Sequence, residues 1–550
     1  MQKALSNSRV LSAFKSAARP ASTCPYASNP DQIKSKYDVV IVGAGHNGLV
    51  TANYLAKFAK RKLNICVLER RHVIGGAAVT EELYPGFHFS RASYLLSLFR
   101  PVIIKDLDLM RHGMLKFHFR NPSSYTPISL GDPQYTSQSR SLTLGPDATF
   151  NREQLSKFSQ KDAVNYEKYE HWIGKICDVL EPMIDLPPPS AKEFAKMGLY
   201  EKLKYMRGYI KDVSALKFYA NNFEDIYRLF TEPAANILDE WFESDVLKAS
   251  LATDSVIGAM LSPYSSGSGY VLLHHIIGGV DGQKGVWAYV EGGMGAISNC
   301  LARNAKSFGD QIDIFVEQDV KRIEVMDGKD QTKVVKGVTL ANGKFVEADY
   351  VLSNCTPEVT FNRLLGEYEF EKSENDELSN FFKRIRNINY ESGTMKINLA
   401  VKSLPNFVAD PNRSDGKPMP HHQTTIHLNC ENMKLIDDAY NDAKFRKIAS
   451  QKPVIEMVIP SSLDPTISPK GSHVILLFCQ YFNKTNDERE KEKYVKLVMD
   501  SIEAYAPGFK DSILFKDVLT PADLESVFGL TGGNIFHGAL PLDQLFINRP

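Results

Sequence analysis

Gly43-Ala44-Gly45-His46-Asn47-Gly48 sets three glycines at the G-x-G-x-x-G spacing, and Glu69 follows about 20 residues later. The chemistry of such a set is non-covalent: it holds a dinucleotide. Gly43 permits a tight turn, Gly45 lets the main chain approach a pyrophosphate, and Gly48 lets a helix pack closely on the strand before it. Ala44, His46 and Asn47 fill the loop. The free N–H groups and positive dipole end of the helix point at the phosphates. Glu69 is placed to accept hydrogen bonds from an adenosine ribose, and its charge would repel a 2′-phosphate.

Glycine spacing alone is a weak signal, so the elements around it matter. Val39-Val40-Ile41-Val42 reads as a parallel strand buried on both faces. The spacing of Leu49, Ala52, Leu55, Ala56 and Ala59 predicts a helix from about His46 to Lys60. Leu63 to Leu68 reads as a second strand that ends at Glu69. Strand, glycine turn, helix, strand and acid occur in the order that the fingerprint requires.

The continuation Glu69-Arg70-Arg71-His72-Val73-Ile74-Gly75-Gly76 resembles the acid-then-Gly-Gly extension of FAD enzymes in the glutathione reductase superfamily. With Ala77-Ala78-Val79-Thr80-Glu81-Glu82 after it, the stretch is similar to the phytoene dehydrogenase-like flavoproteins, of carotenoid and retinoid oxidoreductase type. The resemblance implies FAD, with Gly75 and Gly76 near its diphosphate and ribityl part and Arg70 beside the acid. It implies an α/β fold: a doubly wound FAD-binding domain with a discontinuous α+β substrate domain. Residues 37–105 and 285–365 fall to the first domain, and 106–284 and 366–550 to the second. Relatives of this type oxidise or desaturate apolar molecules. Flavin performs the chemistry, so no catalytic side chain is named.

Sixty-five basic and 65 acidic residues balance, which gives no reason to expect nucleic acid as a partner. No apolar run reaches the ~18 residues of a membrane span, so membrane contact would be peripheral. The seven cysteines, Cys24, Cys66, Cys177, Cys300, Cys355, Cys430 and Cys479, form no close pair, which argues against a dithiol mechanism.

Residues 1–36 carry Lys3, Arg9, Lys15 and Arg19 with no acid before Asp31. Val10, Leu11, Phe14, Ala17 and Ala18 share a helical face opposite the basic residues. This is the profile of a mitochondrial transit peptide, implying the matrix; a disordered tail is the alternative. Further helices are expected over Leu155–Leu180, Ala191–Tyr209, Asp212–Tyr227 and Ala234–Lys248. His274 and His275 could serve as acid or base in a cavity, or be core histidines. Short strands are expected at Ile312–Val316, Val320–Val325, Val334–Leu340 and Lys344–Val346, then a buried strand over Ala348–Asn354. By resemblance the Val320 main chain meets the adenine; by its own pattern Val320 is a strand residue.

A second sheet is expected between Leu365 and Pro521, with Met395, Ile397, Leu399 and Val401 on one face and a helix near Lys491–Tyr505. His421, His422 and His427 lack metal-ligand spacing, and no metal is expected. Gly529 to Gly538 resembles the segment before the family's last flavin-binding element, and the sequence stops at Pro550, so the expectation is either a truncated sequence or an FAD site without that element. Two readings remain. One is a mitochondrial oxidoreductase acting on an apolar or lipid-like small molecule. The other is a weakly active flavoprotein-fold regulator with mitochondrial protein partners.

Overall fold

The structure is a computed structural model that describes residues 26–111, 115–186, 191–209, 221–328, 333–366, 376–545 and 549–550. The expected targeting helix lies outside the described residues. Residues 26–36, expected to stand apart from the fold, pack on it instead. Ala27 bridges Phe315, Ile33 is buried, and Lys344 Nζ donates to the Pro30 and Ile33 carbonyls at 2.6 and 2.7 Å. Ile33 joins the apolar cluster of Tyr37, Val40 and Phe315, which is what docks the segment.

Six strands form the first sheet, in the order Ile312–Phe315, Ile65–Leu68, Lys36–Val42, Phe345–Ser353, Lys333–Leu340, Val320–Asp327. The central strand Lys36–Val42 (β1) leads into the helix His46–Phe58 (α1), and Ile65–Leu68 (β2) returns parallel to β1 with Val42 opposite Leu68. The apolar run of β1 is buried on both faces, as a parallel strand between helices requires. Lys344–Val346 and Ala348–Asn354, expected as two strands, form a single one. Its start pairs antiparallel with Lys333–Leu340 and its remainder parallel with β1. It is also wet on one face, Tyr350 being 65% exposed. The alternation of Val346 and Ala348 with Glu347 and Asp349 is the pattern of a half-buried strand.

The second sheet has seven strands, in the order Ile513–Leu519, Met395–Val401, His473–Gln480, Val454–Val458, Thr425–Leu428, Ser124–Pro127, Ser141–Leu144. One face (Met395, Ile397, Leu399, Ile455, Met457 and Leu477 among others) packs on the helix Glu488–Tyr505 through Tyr494, Val498 and Ile502. The other face is mixed: Thr425, His427, Glu456, Lys396 and Asn398 lie on it beside the apolar Ala400, Val458, Val474 and Leu476, and all are buried.

Two expectations change here. The nucleotide-domain core does not end at residue 105, because Leu107, Leu109 and Leu115 join it and Phe117–Phe119 pairs with Ala288–Val290. The helix expected over Ala234–Lys248 is two, Ala234–Trp241 and Asp245–Ala252. Asp162 causes the break: its carboxylate accepts the Glu243 and Ser244 amides at 3.0 and 2.8 Å, capturing groups that a continuous helix would use. Among the described residues no helix is long and apolar enough to cross a membrane.

Candidate dinucleotide site

The crevice lies beyond the carboxyl end of β1, where β2 and Phe345–Ser353 flank it on opposite sides. This switch point is where open parallel sheets bind ligands. Gly43 turns the chain at φ +96° and its amide donates to the Leu68 carbonyl at 2.8 Å. Gly45 then sits at the N-cap of α1. A Cβ on Gly48 would run into the Gly43 carbonyl oxygen, so Gly48 seats α1 against the turn.

The second glycine pair presses on the first. The Gly75 amide donates to the Ala44 carbonyl at 2.9 Å. A Cβ on Gly76 would lie 3.1 Å from Gly45 Cα, and one on Gly45 would lie 2.6 Å from the Asn354 amide nitrogen. Asn354, which sequence reading missed, is held at this joint by its own amide donating to the Val42 carbonyl at 2.9 Å. Its position one residue past the strand neighbouring β1 was the available signal.

Glu69 is 6% exposed. Its two oxygens accept the Ala44 and Arg71 amides, each at 2.9 Å. Burial pushes this carboxyl above its ordinary range, against the pull of those amides and of Arg71 and Arg70. Each oxygen keeps a lone pair for a further donor. Asn47 is exposed on the first turn of α1, while His46 is mostly buried, and its Nδ1 has no partner. Burial first, then His537, lower the His46 pKa, so the ring is neutral.

Arg70 departs from expectation. Its Nη2 donates to the Ser526 and Val527 carbonyls, both at 3.0 Å, at the end of the helix Pro521–Phe528. The unpaired carbonyls of a helix C-terminus attract a cation, and they turn this guanidinium from the glycine loop. Arg71 takes the inward place: it pairs with Glu81 at 2.9 Å, lies over the Phe528 ring, and leaves Nη1 buried without a partner. Val320 opens its strand opposite Leu340. The residues just before it are tied to the site, Glu317 and Gln318 donating to the Arg71 and Glu69 carbonyls at 2.9 and 2.8 Å. The two glycine turns and Glu69 therefore meet at the end of β1, the Arg70 side chain turns away, and Val320 is joined to them only through Glu317 and Gln318.

These residues fit a dinucleotide. Opposed glycine turns leave main chain bare, and two nitrogens of residues from these loops, His46 Nδ1 and Arg71 Nη1, are buried without partners. Thr531 meets Thr356 at 2.6 Å, so the Gly529–Gly538 segment runs along the same crevice.

The histidines do other work. His275 Nδ1 faces the Val271 carbonyl of its own helix at 2.9 Å, and burial lowers its pKa to about 4. His422 spends Nδ1 on the Met419 amide and Nε2 on the Pro405 carbonyl. Neither nitrogen is left for a metal. The six described cysteines are all free. Burial pushes the Cys300 and Cys177 thiols up to about 11 and 12, which makes them poor nucleophiles.

Residues 41–106 match the NAD(P)-binding Rossmann-like domain family. An oxidoreductase from Methanosarcina mazei has a similar solved structure, with TM-score 0.51, 16% identity and 88% of each chain covered. Fold and site define the class, a protein built on a Rossmann-like dinucleotide-binding domain. The chain is 47% identical over 525 residues to the rat (Rattus norvegicus) pyridine nucleotide-disulfide oxidoreductase domain-containing protein 2, covering 94% of this chain and 87% of the relative. It belongs to that family. A more distant relative is the chloroplastic prolycopene isomerase of Daucus carota, 24% identical with 88% of this chain and 69% of that one covered.

Proposed function

We propose that this chain is an FAD-dependent oxidoreductase of the glutathione reductase superfamily, of dehydrogenase or desaturase type, which takes a hydride from an apolar small molecule. The observation that carries the reading is the joint between Gly45 and Gly76, where a Cβ on Gly76 would press on the Gly45 main chain. A bound FAD supplies an isoalloxazine ring that accepts a hydride. This chain's part is binding and orientation. The first amides of α1 would hold the pyrophosphate, Glu69 the ribose, the Gly75–Gly76 main chain the diphosphate and ribityl part, and the Val320 main chain the adenine. Likeness to a prolycopene isomerase supports an apolar substrate body.

The test is the absorbance spectrum of purified protein before and after anaerobic addition of candidate substrates. A flavin spectrum that bleaches is the expected result; protein that folds but takes up no FAD refutes the reading. Location in the mitochondrial matrix is part of the proposal, supported by the basic and apolar pattern of the first 25 residues. Changing Arg9, Lys15 and Arg19 to Glu should abolish import of a tagged chain, and unchanged import would refute the location.

A further inference from the structure

Three helices outside both sheets, Gln160–Ile184, Phe223–Thr231 and Ala234–Trp241, leave between them a partly open pocket of about 240 Å³. Two of the chain's three tryptophans, Trp172 and Trp241, line it, with Asp225, Arg228 and Glu240 beside them. The indole rings meet at 39° with centroids 5.5 Å apart. Tyr169 packs against both, 5.9 Å from Trp172 and edge-on to Trp241 at 5.8 Å. The Trp241 carbonyl accepts Asn165 Nδ2 at 3.0 Å, and Trp172 Nε1 donates to Asp225 Oδ2 at 2.9 Å. Both aromatic walls are therefore set before a ligand arrives, which lowers the cost of binding.

Charge decides what such a pocket takes. Arg228 donates to Glu232 from Nε at 2.9 Å and Nη2 at 3.1 Å. It also donates to Glu240, from Nη1 at 3.2 Å and from Nη2. One guanidinium thus faces two carboxylates, and the trio is one positive charge short. Asp225 adds a second negative charge: no described residue donates to its Oδ1, and no described basic side chain pairs with it. Asp225 sits in the first turn of its helix, whose dipole offsets only part of that charge. The surplus is negative, and the walls are indoles, whose faces attract cations.

We propose that this pocket binds a quaternary ammonium head group, seated against Trp172 and Trp241 with the Asp225 carboxylate beside it. A neutral head group would leave the negative surplus unmatched. A metal ion has no site here: among the described residues no three acids, cysteines or histidines are placed to hold one. The volume, about 240 Å³, is below the ~300 Å³ and more of pockets that enclose a whole drug-sized ligand, so a head group is what fits. Such binding is independent of the oxidoreductase reading, since no residue of the pocket belongs to the dinucleotide crevice.

The test is isothermal titration of the full chain with choline chloride, with the neutral isostere in which carbon replaces the nitrogen, and with potassium chloride. Choline should bind at a single site, and the isostere and potassium about tenfold more weakly or less. Asp225→Asn keeps an acceptor for Trp172 Nε1 and removes the charge. It should weaken choline about tenfold and leave the melting temperature unchanged. Trp241→Leu should weaken choline as well; where that variant melts early, Asp225→Asn alone decides. Vesicles of phosphatidylcholine tell a lipid head group from a free ammonium compound. Sedimentation of the protein with them, lost in Asp225→Asn, assigns the lipid source, and binding of choline alone assigns the free one. Equal binding of choline and its isostere, binding of neither choline nor vesicles, or full choline affinity in Asp225→Asn would overturn the site.

Discussion

Arg91 grips Asp517 with two hydrogen bonds, Nε to Oδ2 at 3.1 Å and Nη2 to Oδ1 at 3.2 Å, and so ties the chain near the glycine loops to the edge strand of the second sheet. The same guanidinium lies 3.5 Å from Glu81, which pairs with Arg71, whose amide donates to Glu69. On the other side Asp517 accepts Asn398 at 3.0 Å, and Asn398 accepts Lys396. A continuous run of charges and amides thus spans from the dinucleotide acid to the mixed face of the second sheet.

Arg91 and Asp517 are mostly buried, so removing one partner leaves an uncompensated charge. Arg91→Met should destabilise the protein by about 3–5 kcal/mol. Arg91→Met with Asp517→Leu should recover part of that loss, since the two sites are in contact. Thermal unfolding of the four proteins in the cycle reads the coupling. Additive effects would show that the pair does not act as a unit.

Of the two loop glycines at the start of α1, Gly48 is less tolerant of a side chain than Gly45. A Cβ at Gly48 meets the fixed Gly43 carbonyl, whereas a Cβ at Gly45 meets the end of the Asn354 side chain, which can rotate. Gly48→Ala should cost folded yield and melting temperature. Gly45→Ala should keep the fold and lose flavin, because it fills the space next to Gly76. Melting curves and flavin fluorescence titrations on both variants decide; equal melting temperatures would contradict the packing argument.

The glycine loop was legible because its requirements are local: a positive φ at Gly43 and close backbone approach at Gly45 and Gly76 are written as glycines at fixed spacing. Arg70 and Arg71 were not separable, since only the distant helix end at Ser526 and Val527 decides which guanidinium turns away. The burial of the second sheet's mixed face was hidden for another reason. Lys396 and Asn398 alternate with Met395, Ile397 and Leu399, which reads as a strand with one wet face. Ser124–Pro127 and Ser141–Leu144, short and poor in apolar residues, were invisible as strands until the sheet supplied their partners.

Glu456 also makes stability depend on pH. Its folded pKa, about 8, lies above the 4.5 of an ordinary glutamate because burial disfavours the charge. The native state therefore binds the proton more tightly than the unfolded chain. The stability from this group is full below about pH 4.5 and is lost as pH rises through about 8. Glu456→Gln removes the titration and keeps a partner for the Tyr94 hydroxyl, which Glu456 accepts at 3.2 Å. The melting temperature of the variant should rise relative to wild type as pH goes from 5 to 8. A constant difference across that range would contradict the assigned protonation.

Arg71 offers the sharpest separation between holding the fold and holding the cofactor. Its Nη2 is committed to Glu81, an ion pair with both side chains about nine-tenths buried, while Nη1 is buried with no partner. A ligand phosphate or ribose oxygen meeting Nη1 makes a charge-assisted bond, worth roughly 1.5–3 kcal/mol, which is ten- to a hundredfold in affinity. Arg71→Met removes that donor and leaves Glu81 with the more distant Arg91 guanidinium, at 3.5 Å, so both FAD affinity and stability should fall. Adding Glu81→Gln neutralises that acid without restoring the donor. The double variant should therefore recover melting temperature while FAD affinity, read by flavin fluorescence, stays low. Recovery of both together would mean that Arg71 serves only the ion pair.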